Sequence, residues 1–356
     1  MQKVTANIHL GNIRRNAQRF VSLTGEELCA VVKANAYGHG AEEVVNALEG
    51  VASCFAVALI EEGLAIRTAA CGKDILVFSP PICEEEGLAI AENGFIATVP
   101  DLWTAKLLAK ICGRRGLPLR VHLKTNTGMN RYGMNGSALG KVCKYLSDKP
   151  YVQVEGIYTH LYGVTRAQAE EQRRLFLKHL DICKRYFPSV NVHMGGTYAA
   201  LLGEDFRFGM TRVGLGLYGY LPTAEGVTAE LSDALGLEKG MTVQTKVAAN
   251  RLYSFGGVGY GKNLSAEEKS GVKRLAVCRF GYADGFLRKR ENGTCHSEEN
   301  ANTLCMDVCI RKNGKRRGQR IEVMSDAAQT ANATGTIPYE VLCAATRRAE
   351  FVYDND

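Results

Sequence analysis

The chain has 356 residues, of which 46% are apolar and 23% charged, and its formal net charge is +7. This composition is typical of a globular protein. The N-terminus lacks the apolar core of a signal peptide, and no stretch reaches the apolar length of a membrane span. We therefore expect a cytoplasmic protein that does not bind membranes.

The basic and cysteine residues do not indicate nucleic-acid or metal binding. The densest basic patch, residues 312–317, contains an Asn-Gly turn signal and no aromatic residue, which favours a solvated hairpin tip. The twelve cysteines are scattered, and Cys305 and Cys309 have no matching second pair. We predict free thiols in a reducing compartment and no metal site.

An N-terminal helix is predicted over Ile8–Val21, followed by eight short apolar runs that alternate with helical patterns. Amphipathic segments between the runs are Glu61–Ala69, Asp101–Cys112, Ser137–Leu146 and Ala167–Arg185. The apolar runs are Leu28–Lys33, Cys54–Ala58, Asp74–Phe78, Gly94–Val99, Leu119–Lys124, Val152–His160, Asn191–Met194 and Thr211–Leu217. This alternation predicts a parallel sheet, either a (β/α)₈ barrel or an open doubly wound sheet.

Polar residues at the ends of the predicted strands favour the barrel. Lys33, Lys124 and His160 each stand at the carboxyl end of a run, and Arg212 lies in the eighth run. In a barrel these ends converge on one face, where active sites are built, whereas an open sheet would usually separate its first and last strands.

A different pattern begins after Leu237. Short β-like runs occur at Thr242–Arg251, Lys273–Cys278, Leu304–Ile310, Arg320–Met324 and Val341–Ala345. Turn signals lie at Gly256-Gly257, Asn292-Gly293, Asn313-Gly314 and Gly335. We therefore predict an α/β fold with a TIM-type barrel domain over residues 1–236 and an all-β domain over residues 237–356.

Residues 31–40, Val-Val-Lys-Ala-Asn-Ala-Tyr-Gly-His-Gly, contain the strongest functional signal. Lys33 follows a buried apolar run, and small or hydrogen-bonding residues follow it. Burial can keep a lysine amine neutral, the form that makes a Schiff base with an aldehyde. The decapeptide resembles the pyridoxal 5′-phosphate (PLP) lysine motif of the alanine racemase family.

Further motifs extend the resemblance over residues 5–353, in family order and spacing. They are Gly128-Met129-Asn130-Arg131, His160 after the sixth strand, Gly196-Thr197, Arg212-Val213-Gly214-Leu215, Gly257-Val258-Gly259-Tyr260-Gly261, Gly281-Tyr282-Ala283-Asp284-Gly285, Cys305-Met306-Asp307 and Pro338-Tyr339. The resemblance implies a PLP-binding (β/α)₈ barrel, a C-terminal β domain, and interconversion of L- and D-alanine.

The resemblance also implies roles for individual residues. A racemase exchanges a proton on both faces of a planar carbanion, so Lys33 would serve one face and Tyr260 the other. Arg131, Met306 and Tyr282 would contact the substrate. Residues implied in cofactor binding are Lys33, Tyr37, Arg131, His160, Thr197, Arg212, Gly214, Leu215 and Tyr339. Tyr260, Tyr282 and Met306 would serve the neighbouring chain of a homodimer with shared active sites.

The sequence departs from the family pattern at Asn126, Gly196 and Val213, where aspartate, asparagine and proline are usual. In some members the lysine matching Lys124 is carbamylated, which the sequence leaves open. Tyr339 favours alanine over serine, although a serine or broad-specificity racemase remains an alternative. A fold-type III decarboxylase would place a carboxylate where Arg212 stands, and a non-catalytic PLP carrier would lack the second domain.

Overall fold

The computed structural model describes residues 4–163, 165–253, 255–260, 274–287, 304–312 and 316–356. The chain divides into two units. The barrel unit comprises Ile13–Ala36 and Ala41–Glu238, and the C-terminal unit comprises Met1–Asn12, Tyr37–Gly40 and Lys239–Asp356. The boundary expected after residue 236 thus lies close to the end of the barrel unit, while two short N-terminal segments group with the C-terminal unit.

The first nine strands alternate with helices along the chain. They are β1 (Val4–His9), β2 (Glu27–Val31), β3 (Cys54–Val57), β4 (Asp74–Val77), β5 (Ile96–Val99), β6 (Leu119–Lys124), β7 (Val152–Tyr158), β8 (Asn191–His193) and β9 (Met210–Val213). The helices are α1 (Leu10–Thr24), α2 (Lys33–Gly38), α3 (Ala41–Leu48), α4 (Ile60–Ile66), α5 (Glu84–Glu92), α6 (Leu102–Arg115), α7 (Gly136–Leu146), α8 (Arg166–Lys184), α9 (Thr197–Leu201) and α10 (Ala229–Ala234).

Strands β2 to β9 form the parallel sheet of the barrel unit, in the order β8-β7-β6-β5-β4-β3-β2-β9. A parallel bridge between Val192 and Gly209 joins the two end strands and closes the ring. The strands are buried almost throughout, as expected for a parallel sheet covered by helices. The eight predicted strands and the TIM-type barrel are confirmed.

Several barrel helices begin at side chains that accept hydrogen bonds from their first turns. Asp101 accepts from the Thr104 N–H before α6, and Thr165 and Gln168 form a capping box at the start of α8. The four amphipathic helices predicted within the barrel are confirmed as α4, α6, α7 and α8.

The N-terminal helix starts at Leu10 instead of Ile8, because the preceding residues form a strand. Residues of β1 alternate between buried and partly exposed positions, which is the period of a strand. Strand β1 pairs antiparallel with β10 (Met241–Leu252) and parallel with β14 (Ala349–Asp354). The first strand of the chain therefore belongs to the C-terminal unit.

The C-terminal unit also contains β11 (Arg274–Cys278), β12 (Cys309–Lys312) and β13 (Arg320–Met324). Its sheet runs β12-β11-β10-β1-β14, and β13 pairs with β10. Of the predicted run Leu304–Ile310, only Cys309 and Ile310 lie in a strand. The turns predicted at Asn292-Gly293 and Asn313-Gly314 lie outside the described residues.

Two helices accompany this sheet, α11 (Ala327–Thr334) and α12 (Pro338–Ala345). The strand predicted at Val341–Ala345 is therefore wrong. Pro338 occupies the first turn of α12, where its fixed φ favours a helix, and Val341, Leu342 and Ala345 lie buried on one side. No helix within the described part of the chain is long and apolar enough to cross a membrane.

An ionic clamp joins α1 to the last residue of the barrel unit. The Glu238 carboxylate accepts hydrogen bonds from Arg15 Nη2 and Arg19 Nη2, each at 2.7 Å. Asn16, which is fully buried, donates to the Glu238 carbonyl at 2.7 Å and accepts from its N–H at 2.9 Å. Hydrogen bonds from Arg15 and then Arg19 lower the pKa of Glu238 to about 2.

Replacing Glu238 with Gln removes the ion pairs with Arg15 and Arg19 and should lower the free energy of unfolding at neutral pH. The loss should be only about 1 kcal/mol, because solvent partly screens the carboxylate. The carboxyl's pKa is lower in the folded state, so its contribution should fade as the pH falls from 4.5 towards about 2. Urea titrations at several pH values measure this, with Glu92→Gln, an exposed glutamate on α5, as the control. A pH-independent difference between wild type and Glu238→Gln would contradict the clamp.

Candidate active site

Lys33 begins a left-handed turn two residues after β2 ends. Ala34, Asn35, Ala36 and Tyr37 all have φ values of 53° or 54°. A left-handed helical conformation costs an L-residue roughly 1–2 kcal/mol because Cβ approaches the backbone. Lys33 therefore stands at the start of a strained segment, where the sequence analysis expected it to end a strand.

Four basic side chains lie near enough to His160, in the loop after β7, to affect its pKa. Burial and these charges hold the pKa of His160 well below its usual range, so its imidazole is neutral. The charges belong to Arg212, Lys124, Arg131 and Lys33. The structure thus brings the predicted strand-end residues and Arg131 together, and the mouth of the barrel attracts anions.

Arg212 lies inside the barrel with its guanidinium buried. One of its Nη atoms is 2.6 Å from His193 Nδ1, and the other donates to the Thr159 carbonyl at 2.7 Å. The guanidinium also lies 5.1 Å from the ring centroid of Tyr158, a cation–π contact. These contacts fix the orientation of a buried charge that would otherwise be costly.

Two buried histidines support Arg212 from behind. His193 Nε2 lies 2.8 Å from His122 Nδ1. Burial and the charge of Arg212 hold the pKa of His193 well below its usual range and lower that of His122 to about 3. Because a guanidinium only donates, His193 accepts at Nδ1, carries its proton on Nε2 and donates to His122. Sequence reasoning assigned neither histidine a role, although each interrupts an apolar strand.

Tyr158 packs inside the barrel beside the hydrogen-bonded His193. Its ring stacks on His193 at 4.8 Å between centroids, and its hydroxyl lies 2.8 Å from Thr98 Oγ1. Thr98 donates to the Val77 carbonyl at 2.7 Å, so it accepts from Tyr158. Burial raises the pKa of Tyr158 to about 12. The tyrosine therefore stays neutral, and it was missed because its strand resembles an ordinary core strand.

Lys124 ends β6 and faces the same interior. Its Nζ lies 4.4 Å from the ring centroid of Tyr158. Burial, followed by the charges of Arg212 and Arg131, holds the pKa of Lys124 well below its usual range. The lower pKa lessens the repulsion among the basic groups of the mouth.

The loop that carries Arg131 is closed by Asn126. Its Oδ1 accepts from the N–H groups of Gly128 and Asn130, at 3.0 and 3.1 Å, and its Nδ2 donates to Asn130 Oδ1 at 2.8 Å. The Met134 N–H donates to the Lys124 carbonyl at 3.0 Å and holds the far end of the loop. An amide at residue 126 thus builds this turn without a charge.

The loops after β8 and β9 form a second backbone cluster. Thr197 begins α9, and its Oγ1 accepts from the Gly216 N–H at 3.2 Å. Gly214 precedes a 3₁₀ turn, Leu215–Tyr218. A Cβ at Gly216 would come within 2.5 Å of Phe20, so only glycine fits. Thr197 thereby joins two helical starts, whose first N–H groups have no partner within their own turn.

In the C-terminal unit, two predicted cofactor residues lie together. The rings of Tyr37 and Tyr339 are 5.9 Å apart between centroids. A Cβ at Gly38 would meet the Leu342 carbonyl of α12 at 2.4 Å, so glycine permits the close approach. Burial raises the pKa of Tyr37 above its usual range and also raises that of Tyr339.

Tyr260, Tyr282 and Met306 also belong to this unit. The Tyr282 N–H donates to the Cys305 carbonyl at 3.1 Å. A Cβ at Gly259 would lie 3.3 Å from Cys305 Sγ, so the loop bearing Tyr260 passes the same segment. Val258 is buried and anchors that loop, whereas Tyr260 is 76% exposed and Met306 54% exposed. The three residues are grouped around residues 305–306.

The geometry defines a barrel protein with basic side chains at its mouth and a strained lysine turn, followed by a second unit that carries an exposed tyrosine loop. Family models described as the N-terminal and C-terminal domains of alanine racemase match residues 8–222 and 240–353. The chain belongs to the alanine racemase family.

Individual relatives agree along nearly the whole length. An alanine racemase of Lactobacillus delbrueckii subsp. bulgaricus is 32% identical over 371 residues, covering 98% of this chain and 97% of that protein. The solved alanine racemase of Clostridium difficile 630 has a TM-score of 0.88 at 28% identity, covering 99% and 96% of the chains. The biosynthetic alanine racemase from Pseudomonas aeruginosa has a TM-score of 0.85 at 26% identity, covering 99% of this chain and 100% of that chain.

The buried histidines should make the protein less stable as the pH is lowered. An unfolded histidine takes up a proton near pH 6.5, whereas folded His122 resists protonation until about pH 3. The free energy of unfolding should therefore decrease below pH 6.5, by up to about 1.4 kcal/mol per pH unit for each such histidine. His122→Asn should show a shallower dependence.

Thr98→Val is the matched control. It removes a buried hydroxyl, which lies beside Tyr158 and has no titration of its own. It should lower stability and leave the slope of the pH dependence unchanged. Urea unfolding at several pH values measures both variants. Equal slopes for His122→Asn and wild type would disprove the neutral buried state.

Proposed function

We propose that the protein is a PLP-dependent racemase that interconverts L- and D-alanine, with Lys33 and Tyr260 as its two acid–base groups. The supporting observation is the cationic mouth around His160, which has Lys33 on its rim and the buried donor Arg212 within. Family membership supports the same reaction. We also propose a cytoplasmic location, in keeping with membership of the alanine racemase family.

The donor set fits PLP. A dianionic phosphate would offset the positive charges at the mouth, and the two helical starts joined by Thr197 present N–H groups suited to its oxygens. Barrel phosphate sites favour the loops after the last two strands, which here are β8 and β9. We propose that Thr197, Gly214 and Leu215 bind the phosphate with Tyr37 and Tyr339, and that Lys33 binds the aldehyde carbon.

When bound, PLP supplies an electron sink that acidifies the α-proton of the amino acid. Arg212 would donate to the pyridine nitrogen and, lacking an acceptor, keep it unprotonated. The His193–His122 chain holds the guanidinium in place for this contact. An unprotonated nitrogen weakens the sink, which favours return of the proton over other reactions of the carbanion.

Lys33 and Tyr260 would hold and move the proton. The amine of Lys33 would act on one face of the α-carbon and the hydroxyl of Tyr260 on the other. Arg131 would bind the substrate carboxylate, assisted by Met306 and Tyr282, and His160 would support the cofactor ring.

We propose that the active site is completed in a homodimer, where Tyr260, Tyr282 and Met306 serve the neighbouring chain. Their unit exposes apolar side chains around the tyrosine loop, including Phe255 at 87% and Leu252 at 70%. Exposed apolar patches are typical of interaction surfaces. Closure of the site by a partner would exclude water from the proton transfers.

Alanine is proposed over serine because Tyr339 fills space where serine-preferring relatives carry asparagine. A decarboxylase is disfavoured by the buried cation at residue 212, and a PLP carrier by the matched C-terminal domain. A serine or broad-specificity racemase remains the second candidate.

Purified protein incubated with PLP and either L-alanine or L-serine, followed by chiral chromatography, tests the substrate. Alanine should be racemised faster. Borohydride reduction and peptide mapping should place the pyridoxyl group on Lys33. Labelling of another lysine, or no D-alanine formed, would reject the proposal.

Tyr260→Phe should retain PLP and lose a factor of about 10²–10⁴ in racemisation rate, because one face lacks its acid–base group. Tyr253→Phe, in the same loop region, is the control. Normal activity of Tyr260→Phe would remove this residue from the mechanism.

Mixing inactive Lys33→Ala and Tyr260→Phe proteins should restore activity if the sites are shared. With random subunit exchange, half the dimers are mixed and each has one intact site, so roughly a quarter of wild-type sites return. Co-purification of differently tagged chains confirms exchange. Mixed dimers that remain inactive would show that both residues act within one chain.

A further inference from the structure

We propose that Glu62 is a positioning residue that holds the turn after Lys33 in its left-handed conformation. The inference rests on the proposed function, in which Lys33 binds PLP. Glu62 lies in the first turn of α4, 29 positions along the chain from Lys33.

The Glu62 carboxylate joins two loops of the barrel. Its Oε1 accepts from the Ala34 N–H at 2.7 Å. Its Oε2 accepts from the N–H groups of Ala58 and Leu59, at 2.8 and 3.1 Å. One carboxylate therefore fixes the turn after β2 to the loop after β3, beginning at the residue next to Lys33.

The turn requires such a contact because its conformation is unfavourable for the residues that form it. Ala34, Asn35, Ala36 and Tyr37 all have φ near 53°, yet each carries a Cβ. Strained backbone persists only where the surroundings determine it. Asn35 Oδ1 accepts from the Ala41 N–H at 2.8 Å and holds the far end, so Glu62 holds the end nearest Lys33.

A carboxylate suits this position because both of its oxygens only accept. Glutamine would present an NH₂ group to at least one of the three N–H donors and lose that contact. Glu61, its exposed neighbour in the first turn of α4, carries the same charge at the same helix end. Glu61→Gln therefore matches the loss of charge without the loss of these hydrogen bonds.

The experiment compares wild type, Glu62→Gln and Glu61→Gln in three measurements on full-length protein. Equilibrium dialysis gives the PLP dissociation constant, and borohydride trapping at saturating PLP gives the rate of labelling at Lys33. Thermal unfolding of the cofactor-free proteins reports stability alone. Loss of a charge-assisted hydrogen bond should weaken PLP binding by roughly 10- to 100-fold in Glu62→Gln.

A positioning role predicts that Glu62→Gln weakens PLP binding and slows trapping at Lys33, while Glu61→Gln matches wild type in both. Equal binding and trapping in the two variants would overturn the inference. A lower unfolding temperature with unchanged trapping at saturating PLP would also overturn it, because that result describes only a helix cap. If wild type itself is not labelled at Lys33, the proposed function fails instead.

Discussion

A buried guanidinium is the constraint on which the barrel interior depends. Arg212 cannot lose its charge and lies out of water, so each neighbour must accept from it or remain neutral. The Thr159 carbonyl and His193 accept hydrogen bonds from its guanidinium, and the Tyr158 ring makes a cation–π contact with it. Burial, together with the charge of Arg212, keeps the imidazole pair neutral and holds the pKa of Lys124 well below its usual range. The interior is organised for one cation in a fixed orientation.

The excess positive charge at the mouth and the strain at Lys33 are two forms of preorganisation. Each costs stability in the protein alone, and binding of the proposed anionic cofactor with its reactive aldehyde would offset both costs. Left-handed residues cluster where function demands an unusual chain path. In the turn after Lys33 the strained residues are Ala34, Asn35, Ala36 and Tyr37, none of which is glycine. Contacts from Glu62 and Asn35 therefore supply what a glycine run would have supplied through freedom of φ.

The residues of the proposed reaction are distributed over two units of different architecture. The barrel unit fixes Arg212 and Lys124 deep among parallel strands, whereas the C-terminal unit presents Tyr260 on a loop anchored by the buried Val258. A two-base reaction needs groups that approach from opposite sides, and a single barrel mouth offers one side. In the proposed homodimer, the C-terminal unit of the neighbouring chain would supply the second side.

The sequence by itself determined the elements whose signals are local. Eight apolar runs predicted eight strands, and compact motifs around Lys33, Arg212 and Tyr260 indicated the family and its candidate residues. Local reasoning failed where two periodicities compete: Val341–Ala345 is apolar enough for a strand, yet Pro338 starts a helix. Strand β1 was missed although its alternation was present, because the helical pattern that follows it overlapped Ile8.

Only the tertiary structure decided which distant polar groups meet. His122 and His193 are 71 residues apart, and Ala34 and Glu62 are 28 apart. A histidine in an apolar strand or a glutamate in a helix turn has the same local sequence signal whether or not a partner lies opposite. The order of strands in the parallel sheet places these partners in contact, because Ala34 and Glu62 follow the neighbouring strands β2 and β3, and His122 and His193 lie on the two strands that flank β7. The support for Arg212 and the restraint on the Lys33 turn are therefore properties of the fold that no local pattern specifies.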